Sequence, residues 1–315
     1  MTKPPLIVLT GPTAVGKTKL SIELARAVNG EIISADSMQV YKYMDIGTAK
    51  IMPEEAAGIK HYLVDELEPD EPFNVVVFQS MAKKALQKIY EKGRIPIVVG
   101  GTGFYIQALL YDINFTENDE DQEYRKSLEE MARREGNEVL HQMLKDADAP
   151  SAEKIHPNNV KKVIRALEFF EKTGQRISDH NEEQMKKVSP YNFAYFVLNN
   201  DRDILYQRIN HRIDRMLEDG LLEEVKRLME RGYAKELVSM QGLGYKEIID
   251  YYNGKTSLDE AIYILKRDTR HFAKRQITWF KREKDVIWMN KGDLKSDQEI
   301  FNDMLKILRN KDIIQ

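Results

Sequence analysis

Short apolar runs alternate with amphipathic stretches along the first third of the chain. Leu6–Thr10, Glu31–Ala35 and Ile95–Val99 are rich in apolar and β-branched residues, and each is followed by a glycine or an aspartate, so each is predicted to be a strand. Between them, apolar residues recur every three or four positions, as on the buried face of a helix. Such alternation predicts parallel βαβ units, which bind ligands at the carboxyl ends of their strands.

The pattern changes from about residue 117. Residues 117–153 are highly charged, and their apolar residues follow a helical period. His156-Pro157-Asn158 then opens a clear amphipathic helix, Gly174 stands just past its end, and residues 175–190 are predicted to be a polar link. We therefore expect an all-helical insertion at residues 118–190, within a catalytic core formed by residues 1–117 and 191–315.

The last third returns to the first pattern. Ala194–Leu198 and Val286–Met289 are predicted strands, and a long helix is expected from Ser257 to about Arg282. The chain is thus predicted to be an α/β protein. Its core is a P-loop NTPase-like parallel sheet flanked by helices, and it carries the helical insertion.

Composition excludes several classes of site. The 315 residues include no cysteine, which removes disulfides, thiolate zinc sites and cysteine nucleophiles and fits a reducing compartment. The six histidines are scattered, so a histidine metal site is not expected. No secretory signal and no apolar run of membrane-spanning length are visible. A cytoplasmic location without membrane contact is expected.

A phosphate loop follows the first predicted strand and opens the first helix. It fits the pattern G-x-x-x-x-G-K-[ST], in which backbone N–H groups, a helix N-terminus and a lysine hold phosphate oxygens. The threonine that ends the pattern is placed to offer its hydroxyl to Mg²⁺. The predicted diphosphate- or triphosphate-binding residues are Gly11, Pro12, Thr13, Ala14, Val15, Gly16, Lys17 and Thr18.

The acid expected of an ATPase is missing from its usual place. The strand ending at Val99 continues into Gly100-Gly101-Thr102 without an acidic residue, whereas Asp36 follows the second strand. From its position alone, Asp36 is a magnesium ligand, a general base or the residue that forms an Asx turn. Its expected place facing the phosphate loop favours a catalytic role.

A basic segment near the end of the chain indicates a polyanionic partner, although the net charge is −3. Six basic residues, one acid and several aromatic residues lie between Arg270 and Lys284. Cations and stacking aromatic rings of this kind bind RNA loops. The alternative interpretation of the segment is a helix with its cations in solvent and its aromatic residues packed in the core on the opposite side. Lys266, Arg270 and Lys274 recur every four residues and are predicted to follow a phosphate backbone. The same interpretation extends to Lys161, Lys162 and Arg165.

Several motifs together resemble the tRNA dimethylallyltransferases, also called tRNA isopentenyltransferases. In order and spacing they match the family over nearly the whole chain. They are Gly11–Thr18, Asp36–Gln39, Met44–Lys50, Val99–Tyr105, His156–Asn158, Arg165–Leu167, Met216–Leu217, Gly242–Tyr245 and Lys274–Phe280. The family transfers a dimethylallyl group from its diphosphate to the exocyclic N6 amine of the adenosine immediately 3′ of the anticodon.

The resemblance implies a role for each candidate catalytic residue. The phosphate loop holds the diphosphate of the prenyl donor, with Mg²⁺ near Thr18 and with Lys17 and Arg212 as cationic partners. Arg208 and Arg215, which flank Arg212 on the same helix, are interpreted as surface residues paired with nearby acids. Asp36 is the candidate general base, and Thr102 is expected to contact the adenine after it has left its stack.

The expected partners are dimethylallyl diphosphate and a tRNA anticodon stem-loop, and the chain is expected to be a monomer. The resemblance and the basic segments together give sixteen candidate tRNA contacts. They are Asp36, Ser37, Met38, Gln39, Thr102, Lys161, Lys162, Arg165, Gly242, Gly244, Tyr245, Lys274, Arg275, Gln276, Trp279 and Lys281.

Three other functions use the same features. A small-molecule kinase would place ATP on the phosphate loop, but the missing acid and the basic helix argue against it. A prenyltransferase for free adenine nucleotides leaves the insertion and the basic helix without a purpose. A non-catalytic RNA-binding module leaves the complete phosphate loop and Asp36 unexplained.

Overall fold

A sheet of six parallel strands forms the centre of the protein, in the order β3-β2-β4-β1-β5-β6. The computed structural model describes residues 3–115, 122–291 and 296–315. The strands are β1 (Pro5–Thr10), β2 (Gly30–Ala35), β3 (His61–Tyr62), β4 (Ile95–Gly100), β5 (Asn192–Asn199) and β6 (Val286–Asn290). All five predicted strands are confirmed. The two-residue edge strand β3 was not predicted.

Helices lie between the strands in the first and last parts of the chain, and a run of helices fills the segment between β4 and β5. The first four are α1 (Lys17–Ala27), α2 (Pro53–Ala56), α3 (Val75–Glu91) and α4 (Gly103–Leu110). The next five are α5 (Gln122–Glu135), α6 (Asn137–Ala147), α7 (Ala149–Lys154), α8 (Val160–Thr173) and α9 (Ile177–Met185). The last five are α10 (Arg202–Glu218), α11 (Leu221–Glu230), α12 (Tyr245–Tyr252), α13 (Leu258–Phe280) and α14 (Asp297–Asn310). The polar link predicted at residues 175–190 is wrong, since α9 occupies most of it.

The central strand β1 is buried on both faces. Leu6, Ile7 and Leu9 have no exposed surface, and β1 pairs in parallel with β4 on one side and β5 on the other. Strands of a parallel sheet are covered by helices on both faces, so they read as continuous apolar runs. The carboxyl ends of β1, β2 and β4 therefore lie side by side, with Thr10 opposite Gly100 and Ala35 opposite Gly100.

The chain divides into two compact units. The first comprises residues 1–110 and 190–315 and contains the whole sheet, while the second is Tyr111–Ser189 and its described elements are helices. The second unit has its own apolar core. That core includes Leu128, Leu140, Leu144, Val163, Ile164 and Leu167. The predicted boundary residues 117 and 118 lie outside the described residues.

Among residues 3–115, 122–291 and 296–315, no helix is both long enough and apolar enough to cross a bilayer.

Candidate active site

The phosphate loop turns tightly between β1 and α1. Gly11 has a φ of 144°, and a Cβ atom there would collide with the backbone of Leu198 at the end of β5. Gly16 has a φ of 95° and immediately precedes α1. Only glycine adopts such angles without strain, which explains both glycines of the motif. The N-terminus of α1 thus faces the site with its partial positive charge.

Lys17 folds back over this loop. Its Nζ atom donates hydrogen bonds to the carbonyl oxygens of Gly11 and Pro12, both at 2.9 Å. Burial of the ammonium, with the charge of Arg212 adding to the effect, lowers the pKa of Lys17 to about 7, although Asp36 opposes the shift. Lys17, Arg212 and Asp36 therefore lie within electrostatic reach of one another.

Arg212 reaches the phosphate loop from α10. Its Nη1 atom donates to the Thr13 hydroxyl at 3.3 Å. Burial lowers the pKa of Arg212 from its usual value, while the carboxylate of Asp36 raises it. Because arginine stays protonated in proteins, Arg212 brings a permanent positive charge to the loop.

Two further cations border the phosphate loop. A Cβ atom at Gly16 would lie 3.1 Å from the Lys291 Nζ atom and 3.6 Å from the Arg208 Nη2 atom. Arg208 is exposed, as its interpretation as a surface residue requires, but its guanidinium also lies beside the phosphate loop. Asp214, a nearby acid on the same helix, pairs with Lys266 at 2.5 Å.

Asp36 and Thr102 follow adjacent strands, as expected. The Asp36 Oδ1 atom accepts a hydrogen bond from the Met38 N–H at 2.9 Å, so Asp36 does form an Asx turn. The Thr102 N–H donates to the Ala35 carbonyl at 3.2 Å, which ties the turn formed by residues 100–103, here called the Thr102 turn, to the end of β2. Asp36 can form this turn and also act in catalysis, because its two carboxylate oxygens accept hydrogen bonds independently of each other.

The donor set fits Mg²⁺ only if the metal arrives with a phosphate ligand. Thr18 is exposed in the first turn of α1 and offers one hydroxyl oxygen. Within the part of the chain that the structure describes, no group of three or more His, Asp or Glu side chains is placed to hold a metal. Mg²⁺ commonly keeps water ligands and takes its other oxygens from substrate phosphates.

Gln39 is used inside the protein. Its Nε2 atom donates to the carbonyls of Thr48 and Ala49 at 3.2 and 3.3 Å, and its Oε1 atom accepts from the Ser34 hydroxyl at 3.1 Å. Ser37 and Met38 beside it are half-buried. The amide of Gln39 thus holds the following loop in place.

Glu224 of α11 is a buried hub that the sequence reasoning missed. Only 2% of the residue is exposed, and its carboxylate accepts the N–H groups of residues 45, 46 and 47 at 2.8–3.0 Å. It also accepts the Tyr245 hydroxyl at 2.7 Å. The sequence did contain a signal that Glu224 is buried, because this residue falls on the apolar face of α11 with Leu221, Val225 and Leu228.

Tyr245 and its neighbours do not present side chains as the tRNA prediction suggested. Tyr245 is 1% exposed, its hydroxyl is bonded to Glu224, and its ring packs on Gly47. Gly242 and Gly244 are also buried. The bond to Glu224 and burial raise the pKa of Tyr245 well above its usual value, with burial the larger effect.

Helix α13 has a buried side and an exposed basic side. Lys274 and Arg275 on this side, and Lys281 just after the helix, are exposed, as the prediction of RNA contacts requires. Lys266 and Arg270 instead bind α10, through Asp214 at 2.5 Å and the Asn210 amide oxygen at 2.8 Å. Lys266 and Arg270 are thus already bonded within the protein, and their predicted contact with a phosphate backbone stays a prediction.

The remaining predicted contacts divide between exposed and buried positions. Trp279 is half-buried and meets Phe104 edge-on, with ring centroids 6.1 Å apart. Gln276 is buried, and both ends of its amide are bonded within the protein. In the second unit, the exposed side of α8 carries Lys161, Lys162 and Arg165.

Comparison with known proteins identifies the family. The family model described as IPP transferase matches residues 39–283. The chain is 65% identical over 311 residues to the tRNA dimethylallyltransferase of Lachnoclostridium phytofermentans, with 99% of each chain covered. The chain belongs to the IPP transferase family. A second family member, the tRNA dimethylallyltransferase of Acetivibrio thermocellus, is 54% identical over 95% of this chain and 96% of its own.

Solved structures of family members share the fold. The tRNA isopentenylpyrophosphate transferase of Bacillus halodurans is 44% identical, covers 98% of both chains and has a TM-score of 0.74. A eukaryotic dimethylallyltransferase acting on tRNA has a TM-score of 0.85 at 32% identity, over 98% of this chain and 79% of its own. The resemblance drawn from the sequence motifs and the predicted α/β class are confirmed by these IPP transferases.

Proposed function

We propose that this protein transfers a dimethylallyl group from dimethylallyl diphosphate to the N6 amine of the adenosine immediately 3′ of the anticodon in tRNA, releasing diphosphate. The observation that supports this most directly is the convergence of three strand ends. They bring the phosphate loop, Asp36 and Thr102 together, with Arg212 against the loop. Membership of the IPP transferase family supports prenyl transfer over phosphate transfer from ATP.

On the donor side, the site must stabilise a departing diphosphate. As the allylic carbon–oxygen bond breaks, negative charge grows on the diphosphate oxygens. The N–H groups of the phosphate loop, the N-terminus of α1, Lys17 and Arg212 supply fixed positive partners. Preorganised donors of this kind stabilise a transition state because they need no reorganisation as charge develops.

A bound Mg²⁺ would neutralise part of the charge on the departing diphosphate. Thr18 is the residue that would contribute a ligand, through its hydroxyl oxygen.

On the acceptor side, the adenine N6 atom forms the new carbon–nitrogen bond and must lose a proton. Asp36 is the proposed acceptor of that proton, a step typically worth about 10²–10⁴ in rate. Thr102 lies in the turn that follows the adjacent strand β4 and would contact the base. An adenosine stacked in an anticodon loop reaches such a cleft only by leaving its stack.

The residues proposed to bind RNA are basic. In the first unit they are Lys274 and Arg275 on α13 and Lys281 just after it, and in the second unit they are Lys161, Lys162 and Arg165 on α8. All six are exposed cations suited to backbone phosphates. Since a structural relative is described as acting on tRNA, an anticodon stem-loop is the proposed substrate. We further propose that the enzyme works as a monomer in the cytoplasm, where its substrate RNA and a reducing environment suit a chain without cysteine.

The test uses dimethylallyl diphosphate labelled with an isotope in its prenyl group. The protein is incubated with this donor, Mg²⁺ and unmodified tRNA, and parallel reactions replace tRNA by AMP or add ATP. Label in tRNA that is independent of ATP is the expected result. Label in AMP would move the activity to free nucleotides, and phosphate transfer from ATP without labelled RNA would support a kinase. Binding of tRNA with no transfer and no donor binding would indicate an RNA-binding module.

A further inference from the structure

We propose that Gln276 is a positioning residue that sets the spacing between the donor half and the acceptor half of the active site. Its Oε1 atom accepts the Thr13 N–H at 2.9 Å, and its Nε2 atom donates to the Gly101 carbonyl at 3.0 Å. One rigid amide on α13 thus joins the phosphate loop to the Thr102 turn. The inference rests on the prenyl transfer proposed above.

The two ends of this bridge adjoin residues with proposed roles. Thr13 accepts a hydrogen bond from Arg212, which contributes charge to the donor side. Gly101 immediately precedes Thr102, which is proposed to contact the base. A change in the length of the bridge therefore shifts the donor-side cation relative to the acceptor base. A misplacement of about 1 Å at reacting groups costs on the order of 10² in rate.

The chemistry of the bridge requires glutamine. Thr13 needs an acceptor and Gly101 needs a donor, and a carboxamide supplies both from one planar group. Gln276 is only 6% exposed, so water does not replace either bond readily. A carboxylate would still accept from Thr13 but would face the Gly101 carbonyl with a lone pair, and a leucine would satisfy neither.

Packing around the bridge is tight. A Cβ atom at Gly101 would collide with the Gln276 Nε2 atom, and one at Gly103 would collide with the indole ring of Trp279. Gln276 and Trp279 lie one helical turn apart, so one side of α13 seats the whole Thr102 turn. Gln276 is also among the predicted tRNA contacts, but both ends of its buried amide are bonded within the protein, which gives it a different purpose.

The experiment compares Gln276→Leu and Gln276→Glu with the control Gln87→Glu, which changes an exposed glutamine on α3. For Gln276→Leu, single-turnover prenyl transfer at saturating substrates should fall about 10–100-fold. The dissociation constants for dimethylallyl diphosphate and for the anticodon stem-loop should stay within about threefold, since the bridge aligns substrates and does not bind them.

Gln276→Glu gives a signature that a purely structural role would not give. A buried glutamic acid has a raised pKa, and its protonated form can again donate to the Gly101 carbonyl. The activity of this variant relative to wild type should therefore increase as pH falls from about 8.5 to 6. Gln87→Glu should follow the wild-type profile throughout.

Amide exchange tests the bridge without using activity. The Thr13 amide should exchange about tenfold faster or more in Gln276→Leu than in wild type, because its acceptor is gone. Unchanged exchange, or a pH-independent ratio for Gln276→Glu, would overturn the proposal. If Gln276→Leu lost stem-loop binding but kept its single-turnover rate, Gln276 would instead be assigned to the RNA-binding surface. Inactive wild-type protein with fast Thr13 exchange in the variant would refute the proposed reaction and retain the bridge.

Discussion

Lys17 and Gly11 are joined by a hydrogen bond of 2.9 Å from the lysine Nζ atom to the glycine carbonyl oxygen. The ammonium is therefore held by its own loop, where burial and Arg212 lower its pKa to about 7. A diphosphate in the loop would favour the protonated form. At any pH at which Lys17 is neutral in the free protein, binding of the donor is therefore accompanied by uptake of a proton.

Affinity for dimethylallyl diphosphate should consequently fall as pH rises above about 7, with a slope that approaches tenfold per pH unit. Calorimetric titration at pH 7, 8 and 9, in buffers of different ionisation enthalpy, measures both the affinity and the proton uptake. Lys17→Arg stays protonated and should flatten the profile. An identical slope in Lys17→Arg and wild type would place the titration elsewhere.

Lys17→Ala should lose turnover severely while remaining folded.

Asp36→Asn should lower the rate of the chemical step by about 10²–10⁴. The asparagine amide oxygen can still accept the Met38 N–H, so the Asx turn and the fold should persist. Asp36→Ala removes the turn bond as well and serves as the comparison. Single-turnover assays and circular dichroism separate the two effects. Turnover at the wild-type rate in either variant would refute the assignment of Asp36 as general base.

Lys274→Glu should weaken binding of the anticodon stem-loop by about tenfold or more at low salt, because a phosphate-binding cation becomes an anion. Donor affinity should change little. The matched control is Lys84→Glu, the same reversal at an exposed position of α3. Fluorescence anisotropy at two salt concentrations gives both the affinity and its salt dependence. Equal RNA affinities for Lys274→Glu and wild type would remove this part of α13 from the RNA surface.

Glu224→Ala should destabilise the protein by at least about 3 kcal/mol. It leaves three N–H groups and the Tyr245 hydroxyl without their acceptor, and each buried donor left so costs about 1–3 kcal/mol. Urea denaturation measures the change. The control Glu223→Ala removes an exposed neighbour and should stay within about 0.5 kcal/mol of wild type. Similar unfolding midpoints for the two variants would contradict the hub role of Glu224.

The sequence predicted elements whose signals are local. The strand β1, the phosphate loop and the start of α1 follow from an apolar run, two glycines and a helical period. The edge strand β3 was missed because two residues carry no period, and α4 because its residues 103–110 are almost uniformly apolar. Residues 175–190 looked like a link because they are polar, yet α9 forms there.

The supporting contacts of the site were beyond sequence reasoning for a different reason. Gln276 and Glu224 act through bonds to residues more than 170 positions away, such as Gly101 and Gly47. A sequence motif shows which residue types occur at which spacing. It does not show which atoms each side chain contacts in the folded protein. Residues expected to touch RNA therefore include several, Gln39, Tyr245 and Gln276 among them, whose polar atoms are already bonded within the protein.

The central position of β1 also governs the order in which the chain can complete its sheet during synthesis. One neighbour, β4, is made within the first 100 residues, whereas the other, β5, follows only after residues 111–189 have been translated. At about 5–20 residues per second, that segment takes roughly 4–16 seconds. Throughout that interval the nascent protein carries an apolar strand with an unpaired edge, a known target for aggregation. Shielding by the ribosome or a chaperone is most valuable in that period.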